Sequence, residues 1–227
     1  RETTTPGIDL IMPDIRYLAE QRENVLAIVL THAHEDHIGA IGHLWPMLRC
    51  PLYATPFTAR LIEGKLEEAG LRDRVRVKTV PIGGHLDIGP FSIDFISITH
   101  SILEPNALAI RTPLGLVVHT GDCKIDPDPM LGEVTNINAL QKLGDEGVLA
   151  TVCDSTNALV QGHSGSEARV RQALSALIGS LKGRIAVTAF ASNVARLDSV
   201  AKAAREHGRQ IALVGRSMHK MVAAAKE

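Results

Sequence analysis

Three histidines and two carboxylates fall within six consecutive positions of "LTHAHEDHIGA", His32, His34, Glu35, Asp36 and His37, directly after the apolar run "VLAIV". In an extended segment, side chains two apart point the same way, so His32 and His34 can grip one cation from one direction. Asp36 and His37 are adjacent at the start of a helix and diverge from that pair, which suits a second cation. A mixed imidazole and carboxylate set without thiolate suits zinc, with manganese or iron as alternatives. Two such ions roughly 3.5–4 Å apart can activate a water and clamp the oxygens of an in-line displacement at phosphorus, which makes hydrolysis the expected reaction type. Glu35 either joins the ligands or alternates away from His34 into a solvated or supporting role.

One short loop cannot close two coordination spheres, so further ligands are expected at the ends of other strands. "ISITH" ends at His100 and "LVVHTGD" at Asp122. Gly121 gives backbone freedom beside Asp122, a carboxylate able to bridge both ions. His43 reads as helix surface or packing, with a supporting role at the site as the alternative, and His119 as an interior or supporting histidine. His85, His163, His207 and His219 have no ligand spacing and read as solvent-exposed.

The elements that must position these residues alternate between strand and helix. Val25 to Leu30 reads as a buried strand and His37 to Leu48 as a helix, with the histidine cluster on the turn between them. "PFTARLIEGKLEEAG" opens on Pro56 and stops at Gly70 as a helix. "RVRVKTV", "HLDIG", "FSIDFISITH", "NALAIRT" and "GLVVHTGD" read as short strands, which predicts sheet packed on sheet with helices outside. Asn136 to Leu143 reads as helix and Val148 to Cys153 as strand. "SGSEARVRQALSALIGSL" carries Ser164 and Glu167 in capping-box spacing. "RIAVTAF", "VARLDSVAKAAREHG", "RQIALVG" and "MHKMVAAAKE" then follow the rhythm of a parallel sheet with crossover helices. A second domain is expected to begin between Thr156 and Ser166, giving domains 1–160 and 161–227.

With 227 residues, 45% of them hydrophobic, the chain can bury a sizeable core. A formal net charge of −1 argues against charge-driven, nonspecific nucleic-acid binding, and aromatics at 3% against extensive base-stacking platforms. No apolar run approaches the roughly 20 residues of a membrane span, and "RETTTPGIDL" lacks the architecture of a secretion signal, so a cytoplasmic protein with no membrane association is expected. Cys50, Cys123 and Cys153 are widely spaced and read as reduced, mostly buried thiols.

"THAHEDH" matches the HxHxDH signature of the metallo-β-lactamase superfamily, and His100 and Asp122 fall where its third and fourth motifs belong. "VCDSTNA", "SGSEARV", "TAFASNVAR" and "VGRSM" resemble the β-CASP branch, most closely the bacterial ribonuclease J family. The fold class implied is α/β: an αββα metallo-β-lactamase sandwich followed by part of a β-CASP domain with a parallel sheet. The resemblance implies a two-Zn2+ ribonuclease, Mn2+ being the alternative, that processes RNA 5′ to 3′ from a 5′-monophosphate end with some endonuclease ability, in a parent enzyme that is a homo-oligomer. By the same resemblance His32, His34 and His100 hold one ion, Asp36 and His37 the other, and Asp122 bridges. Asp154 matches an acidic residue that orients a general-acid histidine. That histidine and a further ligand histidine are expected beyond Glu227, so the chain reads as a fragment of a longer enzyme, its first strand pair also absent. Ala195 departs from the histidine frequent in "FASNxHR".

For RNA contacts, Ser192, Asn193, Arg196, Arg216 and Ser217 lie after expected strand ends, where open α/β sheets present ligand sites. Phe190 is the candidate stacking residue. Lys124 follows Asp122 and faces either a substrate phosphate or solvent.

Overall fold

A computed structural model describes residues 6–8 and 10–226. The N-terminal residues 1–5 and Asp9, part of the stretch read for a secretion signal, lie outside the described residues, as does Glu227.

After a short helix α1 (Arg16–Glu20), β1 (Ile28–Val29) leads through the histidine loop into α2 (Glu35–Ile38) and α3 (Ile41–Leu48). β2 (Leu52–Ala54), α4 (Pro56–Glu68) and β3 (Val77–Thr79) complete a three-stranded parallel sheet in the order β1-β2-β3. β4 (His85–Ile88), β5 (Phe91–Ser97), β6 (Asn106–Thr112) and β7 (Gly115–His119) form an antiparallel meander, and β8 (Val148–Val152), reached through α5 (Ile137–Glu146), adds in parallel to β7. α6 (Glu167–Ser180), α7 (Val194–Glu206) and α8 (Arg216–Lys226) follow.

The period-two alternation of β5 builds the layers. Ile93 and Phe95 pack with Val80 and Leu108 against Val29 and Tyr53 of the parallel sheet, closing the space between the two sheets. Ile96 faces the opposite side, where it joins Ile98, Ala107, Ala109 and Val118 beneath Leu143 of α5. On the outer face of the parallel sheet, Leu52 and Ala54 pack with Ile41 and Trp45 of α3 and Phe57, Ile62 and Leu66 of α4. Helix, sheet, sheet, helix is the expected αββα order.

Several boundaries differ from the expectation. Only Ile28 and Val29 of the Val25–Leu30 run make ladder pairs. The helix expected from His37 begins earlier, at Glu35, and is interrupted at Gly39–Ala40. α6 is capped by Ser166, whose Oγ accepts from the Arg169 amide at 3.3 Å, and not by Ser164. The runs 184–190 and 209–215 are not strands among the described residues. A strand exists only through a neighbour that takes its amides and carbonyls, and neither run finds one here. Of the cysteines only Cys50 is buried; Cys123 is half-buried and Cys153 exposed, all free thiols.

Candidate metal centre

The first ligand segment is pinned at both ends. The Leu30 amide donates to Tyr53 O at 2.9 Å, and the Asn106 amide to Thr31 O at 3.1 Å. From Thr31 to His34 the chain is free of helix, and His34, at ψ 153°, starts α2 by accepting at its carbonyl from the His37 and Ile38 amides. That change from extended to helical backbone leaves His32 and His34 ahead of the helix and Asp36 and His37 in its first turn, yet the rings of His32 and His37 stay 4.0 Å apart between centroids, so the two pairs diverge less than the spacing predicts.

Two other strand ends close on this loop. Thr99, buried at the end of β5's extension, accepts at its carbonyl from the Lys124 amide at 2.8 Å, and its Oγ1 donates to Lys124 O. This isolated bridge ties together the segments carrying His100 and Asp122. Gly121 makes the approach possible. Its φ is +57°, and a Cβ there would lie 3.0 Å from Asn106 O and 3.3 Å from Thr31 Oγ1. Gly121→Ala is therefore expected to lower stability by about 1–2 kcal/mol from the left-handed backbone alone, more if Thr31 must move. Urea unfolding of the variant checks this, and an unchanged midpoint would remove the argument.

The imidazoles converge. His34 Nδ1 lies 3.2 Å from His32 Nε2 and 2.9 Å from His100 Nε2. Asp122 faces both halves: Oδ2 is 3.8 Å from His32 Nε2 and 3.7 Å from His100 Nε2, while Oδ1 is 3.3 Å from His37 Nε2. Asp36 Oδ2 lies 3.7 Å from the same His37 nitrogen. Two overlapping groups result, His32, His34, His100 and Asp122, and Asp36, His37 and Asp122, each with donor atoms within 4.8 Å of one another.

Burial, reinforced by the neighbouring His37, His34 and His100, pushes the His32 pKa down to about 2. Burial likewise lowers His34, and burial with the field of His34 brings His100 to about 4. These rings are neutral at pH 7 and aim nitrogen atoms at one another with few protons to share. Three neutral imidazoles and a carboxylate could supply the four donors of a divalent cation, and one imidazole with two carboxylates could supply those of another. The residues present therefore fit a metal pair.

Supporting contacts came without a sequence signal. Thr31 Oγ1 lies 3.1 Å from His32 Nδ1, where accepting its proton leaves Nε2 for the cluster. Ser101 Oγ is 3.4 Å from His34 Nε2. Glu35 turns away from the cluster to Lys65 of α4, at 2.7 and 2.8 Å, with its side chain exposed, and touches none of the candidate ligands. His43 is exposed and His119, at the end of β7, half-buried.

Asp154 lies outside both groups. Its carboxylate accepts from the Thr156 amide at 2.9 Å and the Cys123 amide at 3.4 Å, contacts that hold it below its usual pKa, the Thr156 amide foremost. Its own amide donates to Thr120 Oγ1 at 3.0 Å, which fixes it beside the Asp122 loop.

A cleft of about 810 Å³ begins at the loop itself, with Ala33, Glu35 and Ile38 on one wall and Phe190, Ser192, Arg216 and Ser217 on another. Phe190 is 84% exposed there. Lys124, Asn193 and Arg196 are not among its walls: Lys124 Nζ pairs with Asp126 at 2.9 Å, Asn193 caps α7 by accepting from the Arg196 amide, and Arg196 pairs with Glu167.

Residues 4–176, well over half the chain, match the family model described as the beta-lactamase superfamily domain. The chain belongs to this superfamily. Residues 182–227 match the model of the ribonuclease J beta-CASP domain. A curated ribonuclease J from Sinorhizobium meliloti is 50% identical over 98% of this chain and 39% of its own length. One from Thermus thermophilus is 42% identical over 100% of the chain and 41% of its own length. The chain thus spans about two fifths of the length of these relatives. A crystal structure of a protein of unknown function from Enterococcus faecalis V583 superposes with a TM-score of 0.57 over 78% of this chain and 44% of that one, at 18% identity, a likeness of fold alone. Among the described residues no helix is long and apolar enough to cross a membrane.

Proposed function

We propose that this chain is the metal-binding portion of a ribonuclease that hydrolyses RNA phosphodiesters with two Zn2+ ions, Mn2+ being the alternative metal. In this reading residues 1–160 form the metallo-β-lactamase domain and 161–227 part of a β-CASP domain. The observation that carries it is the sharing of Asp122 between two ligand groups that draw on the loop whose Ala33 and Glu35 also line the cleft. When bound, such a metal pair supplies Lewis acidity and an activated water at phosphorus. The chain's own contribution is to hold His32, His34 and His100 neutral and oriented, to present Asp36 and His37 from the first turn of α2, and to offer Arg216 and the exposed Phe190 ring to a backbone phosphate and a base.

The parent enzyme, in the cytoplasm and as a homo-oligomer, is proposed to degrade RNA 5′ to 3′ from a 5′-monophosphate with some endonucleolytic cleavage, Asp154 orienting a histidine from outside this chain. The similarity to ribonuclease J relatives supports this finer reading.

Metal content and hydrolysis measured side by side test it, on this chain and on a version extended to the length of its relatives, with 5′-monophosphorylated RNA, 5′-triphosphorylated RNA and matched DNA. Two metals per extended chain and preferential loss of the monophosphorylated RNA are expected. Intact RNA with cleaved DNA would overturn the substrate, and hydrolysis undiminished by a chelator would overturn the metal pair.

A further inference from the structure

Four charged side chains form a neutral cluster apart from the ligand groups. Asp126 and Glu167 are buried, at 3% and 7% exposure. Asp126 Oδ2 accepts from Lys124 Nζ at 2.9 Å and from the Glu167 amide, at the start of α6, at 3.0 Å. Lys124 Nζ also lies 3.8 Å from Glu167 Oε1, and the Glu167 carboxylate takes the Arg196 guanidinium at 3.2 and 3.3 Å. At its inner end the cluster is bonded to the metal-site segments, because the Asp126 amide donates to Thr99 Oγ1 at 3.1 Å and Thr99 precedes His100. At its outer end Arg196 sits in the first turn of α7, directly after the cleft residues Phe190 to Ser192.

Burying two ion pairs is a poor way to gain stability, since apolar side chains of similar size are often as good or better. What charges and directed hydrogen bonds add is a fixed register between the parts that they join. We propose that Asp126 is a positioning residue, which through Lys124, Glu167 and Arg196 fixes α6 and the start of α7, and with them the adjoining cleft residues Phe190 to Ser192, relative to the His100 and Asp122 segments, so that a long RNA in the cleft is held in register with the metal pair. The proposal rests on the ribonuclease reading for its substrate and on the cluster alone for its mechanics.

Amide hydrogen exchange and kinetics together test it, on Zn2+-loaded protein extended to the length of its relatives. In Asp126→Asn, exchange at the start of α6 and across residues 190–193 is expected to quicken about tenfold while the β6 amides and the metal content stay unchanged. The KM for an RNA oligomer should rise about tenfold with little loss of kcat, and hydrolysis of bis(p-nitrophenyl) phosphate, too small to span the cleft, should be unaltered. Arg196→Met should follow the same pattern and Arg196→Lys, which keeps the charge, should not. Should Asp126→Asn fail to fold, Glu167→Gln carries the same test. Unchanged exchange at residues 190–193, or a parallel fall for RNA and the small diester, would overturn the positioning role. A parent protein that cleaves the small diester but no RNA would remove the ribonuclease reading and leave the exchange result to decide the clamp.

Discussion

Alanine at Asp122 is expected to cost the chain both metal ions, whereas alanine at Asp36 costs one. Asp122 is the sole member common to the two ligand groups, its Oδ2 toward His32 and His100 and its Oδ1 toward His37. Its removal leaves three imidazoles in one group and two side chains in the other. Asp36 serves only the outer group and is largely exposed, so its loss leaves the inner four donors in place. Because the metal pair supplies several kcal/mol of charge stabilisation at phosphorus, hydrolysis by the extended protein should fall about a thousandfold or more in both variants. Elemental analysis after exhaustive dialysis, paired with an RNA degradation assay, separates the two cases. Equal metal content in Asp122→Ala and Asp36→Ala would mean that Asp122 does not bridge.

The second large effect is acid lability of the metal-free chain. His32, with its pKa near 2, and His100, near 4, are neutral when folded, whereas in the unfolded chain each returns toward its ordinary value of 6.5. Below 6.5 the unfolded state therefore binds more protons than the folded one, and stability falls with falling pH. The contribution is fully present above pH 6.5. It is lost progressively toward pH 4 for His100 and further toward pH 2 for His32, at up to about 1.4 kcal/mol per pH unit for each histidine. Against a typical total of roughly 5–15 kcal/mol, two such groups can unfold a domain within a few pH units. Urea unfolding in excess chelator at pH 7 and pH 5 measures the loss, and Zn2+ at pH 7 should raise the midpoint because it binds only the folded ligand set. Equal midpoints at the two pH values without metal would show that the rings are not held neutral.

The clustering of the candidate ligands was legible because their positions are dictated locally. An extended loop running into a helix gathers His32, His34, Asp36 and His37 in one place, and a strand end followed by a glycine marks Asp122. The αββα layers were legible for a similar reason, since residues such as Ile93, Phe95 and Ile96 declare their faces by alternation. What escaped was set by neighbours far along the chain. Lys124 reads as a free cation until Asp126 and Glu167 are seen around it, and Asn193 as a ligand contact until it is found capping α7. Residues 184–190 and 209–215 have the composition of strands, but pairing is decided by another segment's backbone and not by composition. Thr31 and Ser101 carry no signal beyond adjacency to a histidine.

Gly121 touches two of the other constraints at the site, the Asn106 carbonyl and the Thr31 side chain, and Asn106 in turn bonds Thr31 O. In the course of descent these three positions are less three independent letters than one word. A side chain gained at Gly121 is viable only beside a smaller or displaced residue at Thr31, and a change at Asn106 removes the side-chain amide that donates to Glu104 O and, at 3.5 Å, to Thr31 O, so drift at one position bears on the other two.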